Sequence, residues 1–156
     1  MFFVSPSKGR MGFGEMMDDI IIYIKGIPTS SYKIIIGSDS QVKSETSFIT
    51  AVIVHRLGKG ARYYYRKKNQ RKIKSLRQKI FYETALSLEV GGMVHEFFAD
   101  EGFDGLDVEI HIDVGTQGDT KDLIREVVGM VTGSGFRARI KPEAYGASSV
   151  ADKHTK

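Results

Sequence analysis

The chain has 156 residues, a formal net charge of +4 and no cysteine, which allows one self-supporting domain over 1–156 and excludes disulfide stapling. No apolar run approaches the roughly 20 residues needed to span a bilayer, and the opening MFFVSPSKGRMGFGEMMDD, broken by Pro6 and several glycines, lacks the pattern of a secretory leader. The absence of cysteine suits a reducing cytoplasm, and a pI of about 9.2 favours polyanionic partners, nucleic acid first.

In chain order, Met16, Ile20, Tyr23, Ile24 and Ile27 recur at near-helical spacing, predicting an amphipathic helix over 13–26 closed by Gly26 and Pro28. Ile34-Ile35-Ile36 is a continuous apolar run, the mark of a strand buried on both faces. SFITAVIVHR, rich in β-branched residues, predicts a second strand. After Leu57-Gly58-Lys59-Gly60, ARYYYRK predicts a third, so the glycine-bearing connection reads as a hairpin. A long helix is expected from about Ile73 to Phe98, because Ile73, Leu76, Ile80, Thr84, Ser87, Val94 and Phe98 share one arc, with Gly91-Gly92 a candidate kink. LDVEIHIDVG alternates as a strand. Asp119 to Asp122 resembles a capping box for a helix carrying Leu123, Ile124, Val127, Val128 and Val131 and ending at Gly133. FRARI predicts another strand, stopped by Lys141-Pro142, and Ser148 or Ser149 can cap a short terminal helix through Val150 and Asp152. Three antiparallel strands followed by right-handed β-α-β crossovers give a mixed five-stranded sheet with helices on both faces. That core spans 32–154, and 1–31 is a helical extension.

Four acids stand where chemistry gathers. Asp39 follows the first buried strand, where α/β sheets place their binding sites; Ser-Asp-Ser is equally good turn chemistry. Asp113 ends the strand HIDVG, yet shares parity with Asp107, Glu109 and His111, the pattern of a wet face. Glu83 lies at the edge of the apolar arc, toward the sheet, whereas Glu89 lies about 120° away with the solvated residues. A core-facing carboxylate needs a metal or an ion-pair partner. Asp152 sits four residues from the chain's end, where an acid is ordinarily surface. Clustered carboxylates raise one another's pKa, and a divalent cation reverses that effect. An all-oxygen set suits Mg²⁺ or Mn²⁺, and no HExxH pattern argues for zinc. The basic residues concentrate at 56–79, including Arg66, Lys67 and Lys68, with no acid among them. Such a strip follows a phosphate backbone or forms a solvated loop and helix start. Lys121 and Lys153 are further phosphate-holding candidates.

The order of elements resembles the ribonuclease H-like fold. GSDSQ, FYETALSLE, HIDVG and SVADKHT supply Asp39, Glu83, Asp113 and Asp152 where that fold carries its active-site acids. The chain is also similar to the YkuK-type family of bacterial proteins, ribonuclease H-like and functionally uncharacterised, through FFVSPSKG, IIGSDSQ, HRLGKGARYYY, LRQKIFYETALSLE and KPEAYGASSVADKHTK. The resemblance implies a metal-dependent nuclease in which two Mg²⁺ or Mn²⁺ ions, about 3.5–4 Å apart, flank the scissile phosphate. Asp39 would bridge the ions, Glu83 and Asp113 would complete one side, and Asp152 the other. The loop before the terminal helix, Pro142 to Gly146, lacks the histidine that ribonuclease H carries there. A binding or assembly module without turnover, and a junction-resolving or strand-transfer enzyme, are the other readings of this fold.

Overall fold

The computed structural model describes residues 1–103, 105–116, 118, 120–144 and 154. A hairpin of β1 (Phe2–Ser5) and β2 (Gly9–Gly12) precedes α1 (Phe13–Gly26). Three long strands follow, β3 (Tyr32–Val42), β4 (Thr46–Arg56) and β5 (Ala61–Gln70), then α2 (Leu76–Asp100), β6 (Asp107–His111), α3 (Ile124–Gly133) and β7 (Arg137–Arg139). The sheet runs β2-β1-β5-β4-β3-β6-β7. β3, β4 and β5 pair antiparallel, while β6 lies parallel to both β3 and β7.

The expected meander and crossovers are present, but among the described residues the sheet has seven strands rather than five. The segment ahead of Tyr32 contributes a hairpin as well as the expected helix. Its strands are four residues each, too short to establish a period, and the turn between them contains Pro6. Alternation still operates: Phe3 and Met11, opposite each other in the register, are buried, whereas Phe2 is exposed.

The β3 residues Ile34 and Ile36 and the β4 residues Val52 and Val54 are fully buried beneath the helices, in one cluster with Tyr64 of β5 and Ile110 of β6. Ile20 and Ile24 of α1, Ile80, Val90 and Val94 of α2, and Val127 and Val131 of α3 pack against them. Ser75 caps α2, its side chain accepting from the Gln78 N–H, so the helix begins three residues after Ile73. Gly91 does not interrupt α2. A Cβ there would sit 3.0 Å from Ile110 Cδ1, so the glycine lets the helix lie close on β6. The opposite face of β5 meets His154, whose ring stacks on Tyr65 at 3.9 Å. Among the described residues no helix is long and apolar enough to cross a membrane.

Candidate metal centre

Strand alternation sorts the residues of β3. Ser38 and Ser40 continue the helix-facing row of Ile34 and Ile36, and Asp39 continues the row of Lys33 and Ile35. The strand does not give way at Gly37. It runs to Val42, with Asp39 paired to Ile49 of β4, because the backbone ladder with Thr46–Thr50 holds a polar stretch that by composition reads as a turn. β6 lies parallel to β3 with Gly37 opposite His111. Carrying that register forward two residues brings Asp113 alongside Asp39. Glu83 reaches the same point from α2.

One carboxylate oxygen from each of Asp39, Glu83 and Asp113 lies within 4.8 Å of the other two. Beneath them Ser38 Oγ lies 2.9 Å from Thr50 Oγ1 and 2.7 Å from Ser87 Oγ. This buried hydroxyl trio ties β3 and β4 to α2 one turn beyond Glu83 and fixes that helix's register. Ser40 joins the acids more directly. Its hydroxyl donates to Glu83 Oε2 at 2.5 Å and its N–H donates to Asp39 Oδ1 at 2.8 Å.

The electrostatics are unbalanced. Glu83 is only 6% exposed, and burial pushes its carboxyl up to about 8. The Ser40 hydrogen bond opposes that rise, the charges of Asp39 and Asp113 add to it, and Lys79 works against it. Among the described residues Asp113 is ion-paired with Lys141, whose Nζ lies 2.6 Å from Oδ1. The Asp113 carboxylate holds the Lys141 ammonium above its usual range; partial burial opposes this, and the charges of Asp113, Asp39 and Glu83 add to it. In the sequence Lys141 reads only as part of a strand stop. A lysine recruited from after β7 to an acid after β6 leaves no local signature.

The expected residues separate into groups. Asp39, Glu83 and Asp113 converge. Asp152 and Lys153, like the proposed capping residue Asp119, lie outside the described residues. Lys67, Lys68 and Lys121 are exposed. Arg66 is 9% exposed and its Nη1 lies 3.3 Å from Glu89 Oε1, so that guanidinium is engaged within the fold. The parity of Asp107, Glu109 and His111 does not mark a wet face at its centre: Glu109 and His111 are buried.

Three acids, one of them buried, fit a hard divalent cation. Their donors are all oxygen, and a bound cation would reverse the unfavourable ionisation of Glu83. Lys141, its side chain 56% exposed, offsets part of the charge.

Comparison with known proteins agrees with this architecture. The family description "Ribonuclease H-like" matches residues 15–156. An uncharacterised protein, YkuK of Bacillus subtilis (strain 168), is 40% identical over an alignment of 167 residues, covering 99% of this chain and 96% of the relative. No solved structure matches the chain. The acids of β3, α2 and the end of β6 thus sit within a matched region spanning nearly the whole sequence, and the chain belongs to the ribonuclease H-like family.

Proposed function

We propose that the protein is a Mg²⁺- or Mn²⁺-dependent nuclease that hydrolyses phosphodiester bonds of nucleic acid. Family membership supports a nucleic-acid-related role. The observation that carries the finer reading is the convergence of Asp39, Glu83 and Asp113 within 4.8 Å around a buried carboxyl. A cluster of like charges is costly for a fold to maintain unless a cation offsets it.

Bound among these acids, one or two divalent ions would stabilise charge on the phosphoryl oxygens and lower the pKa of the attacking water. Asp39 and Asp113 would be the principal ligands, Glu83 would give up its proton to join them, and Asp152 is the fourth acid by position in the sequence. Ser40 orients both Asp39 and Glu83. Lys141, ion-paired with Asp113, would compete with a cation for that carboxylate. Lys67, Lys68, Lys121 and Lys153 would hold the phosphate backbone. In the reaction a water oxygen bonds to phosphorus, the phosphorus–oxygen bond to the leaving sugar breaks, and the water proton passes to solvent or the leaving oxygen.

The test is cleavage of single strands, duplexes, RNA–DNA hybrids and four-way junctions with Mg²⁺ and with Mn²⁺, alongside Asp39→Asn and Asp113→Asn. Metal-dependent cleavage lost in both variants is expected. Cleavage unchanged in both would remove the site from the mechanism. Tight binding with no cleavage by the wild type would make the protein a binding module.

A further inference from the structure

The hairpin that sequence reasoning missed changes the surface beside the metal centre. Phe3 and Ser5 of β1 point into the fold, while Phe2 and Val4 take the opposite face. Phe2 is 58% exposed, unusual for a phenylalanine. Arg10 of β2 pairs with Val4 and lays its guanidinium 4.4 Å from the centre of the Phe2 ring. Val4 also pairs with Tyr65 of β5, which places this aromatic–cation pair next to the basic end of β5.

That end of β5 is in register with the acids. Asp39 pairs with Ile49, and Ile49 pairs with Lys67. Cross-strand partners share a face, so Lys67 projects on the same side of the sheet as Asp39, two strand spacings or about 10 Å away. A cleft of about 500 Å³ opens between the start of β1 and this part of β5, bordered by Phe2, Arg10, Lys67 and Lys68. The acid bordering it, Glu89, is ion-paired with Arg66, so the uncommitted charge of the cleft is positive.

Resting on the nuclease reading above, we infer that the N-terminal hairpin and the end of β5 form a binding track for single-stranded nucleic acid leading to the metal centre. A base would stack on Phe2, and Arg10 and Lys67 would take the phosphates; Lys68, the next residue along β5, projects to the helix side, over the Tyr82 ring. Aromatic platforms interleaved with a basic groove are how sequence-tolerant single-strand binders work. Two features favour a single strand over a duplex. An exposed aromatic ring has no use for a base stacked inside a helix, and the cations line a cleft between strands rather than a broad flat face.

The experiment measures fluorescence anisotropy of labelled single-stranded DNA and RNA oligonucleotides, and of the corresponding duplexes, in chelator so that no cleavage occurs. The wild type is expected to prefer single strands. Phe2→Ala should weaken that binding at least about fivefold without changing its salt dependence. Phe2→Trp should restore it. Lys67→Ala should weaken binding and reduce the slope of log K against log salt by about 0.7, one phosphate contact on a single strand. Circular dichroism melts check that these variants remain folded. No binding by the wild type, or unchanged binding by both Phe2→Ala and Lys67→Ala, would overturn the track. The two readings fail separately: Phe2-dependent binding without metal-dependent cleavage keeps the track and removes the nuclease, whereas cleavage with binding indifferent to Phe2 and Lys67 does the reverse.

Discussion

Two glutamates of this protein are buried to nearly the same degree, and their surroundings drive them in opposite directions. Glu109 is 2% exposed and Glu83 6%, so each carboxyl loses its hydration. Around Glu109, Lys33 Nζ lies at 2.8 Å, Arg139 Nε at 3.4 Å and His111 Nε2 at 3.4 Å. Burial pushes its pKa up, but the Lys33 and His111 hydrogen bonds and the charges of Lys33 and Arg139 carry it below the usual range. Glu83 instead faces Asp39 and Asp113, and its carboxyl sits at about 8. Burial alone therefore does not mark a functional acid. Glu109 has its countercharge within the fold and serves the structure. Glu83 is short of countercharge, and that shortage singles it out.

Four changes would break or sharpen the contrast, beginning with the largest. Asp39→Asn should reduce metal-dependent cleavage on the order of a thousandfold, since losing a ligand forfeits several kcal/mol of charge stabilisation. Glu109→Gln should leave the cluster of Asp39, Glu83 and Asp113 in place and lower global stability. Lys33 and Arg139 are partly exposed (30% and 41%) and can turn to water, so the cost is about 1–3 kcal/mol, read from urea denaturation. A thousandfold activity loss in Glu109→Gln with unchanged stability would reverse the assignments.

The two acids should also give opposite pH dependences. Glu83 has a raised native pKa, so between about 4.5 and 8 the unfolded state releases a proton that the native state retains. Its contribution is intact below about pH 4.5 and declines as pH rises toward 8, by up to a few kcal/mol in metal-free protein. Glu109 has a lowered native pKa, so its contribution is intact above its ordinary value near 4.5 and is lost as pH falls through the native value. Thermal melts from pH 5 to about pH 9 in chelator should show the alkaline decline in wild type and not in Glu83→Gln. Saturating Mg²⁺ should also flatten the wild-type curve. A Glu83→Gln protein that declines as steeply as wild type would mean another group sets the slope.

The smallest effect concerns Lys141. Lys141→Met removes a partly exposed ion pair with Asp113, worth about 0.5–1 kcal/mol. Metal-free stability should fall by that amount while Mg²⁺ affinity rises a few-fold, because the cation no longer competes with the lysine. Weaker Mg²⁺ binding in this variant would show instead that Lys141 organises the site.

Which parts of this could be read from the sequence follows from the range of the interactions involved. Helical phase separates Glu83 from Glu89, and the structure buries the first and leaves the second half-exposed in a pair with Arg66. A 25-residue helix carries its own period, so one residue's direction is encoded locally. The meander is legible for the same reason, in strands of ten or eleven residues. The hairpin of β1 and β2 is not, because four residues are too few for a pattern. Polar composition also misleads where the partner lies far along the chain. Ser38 to Gln41 reads as a turn but is held as strand by β4, and Glu109 and His111 read as a wet face but are closed in by Lys33 of β3 and Arg139 of β7. Lys141 leaves no local signal for the same reason. Asp152 rests on resemblance alone and lies outside the described residues.

If Asp39, Glu83 and Asp113 form a divalent-cation site, the protein binds Mg²⁺ or Mn²⁺ with no substrate present. Calorimetric titration of the metal-free protein with Mg²⁺ and Mn²⁺ near pH 7, repeated in buffers of different ionisation enthalpy, tests it without reference to any substrate. Binding accompanied by release of a Glu83 proton, and therefore a heat that changes with the buffer, is predicted, with binding lost in Asp39→Asn and Asp113→Asn. No binding, or binding that neither substitution alters, would contradict it.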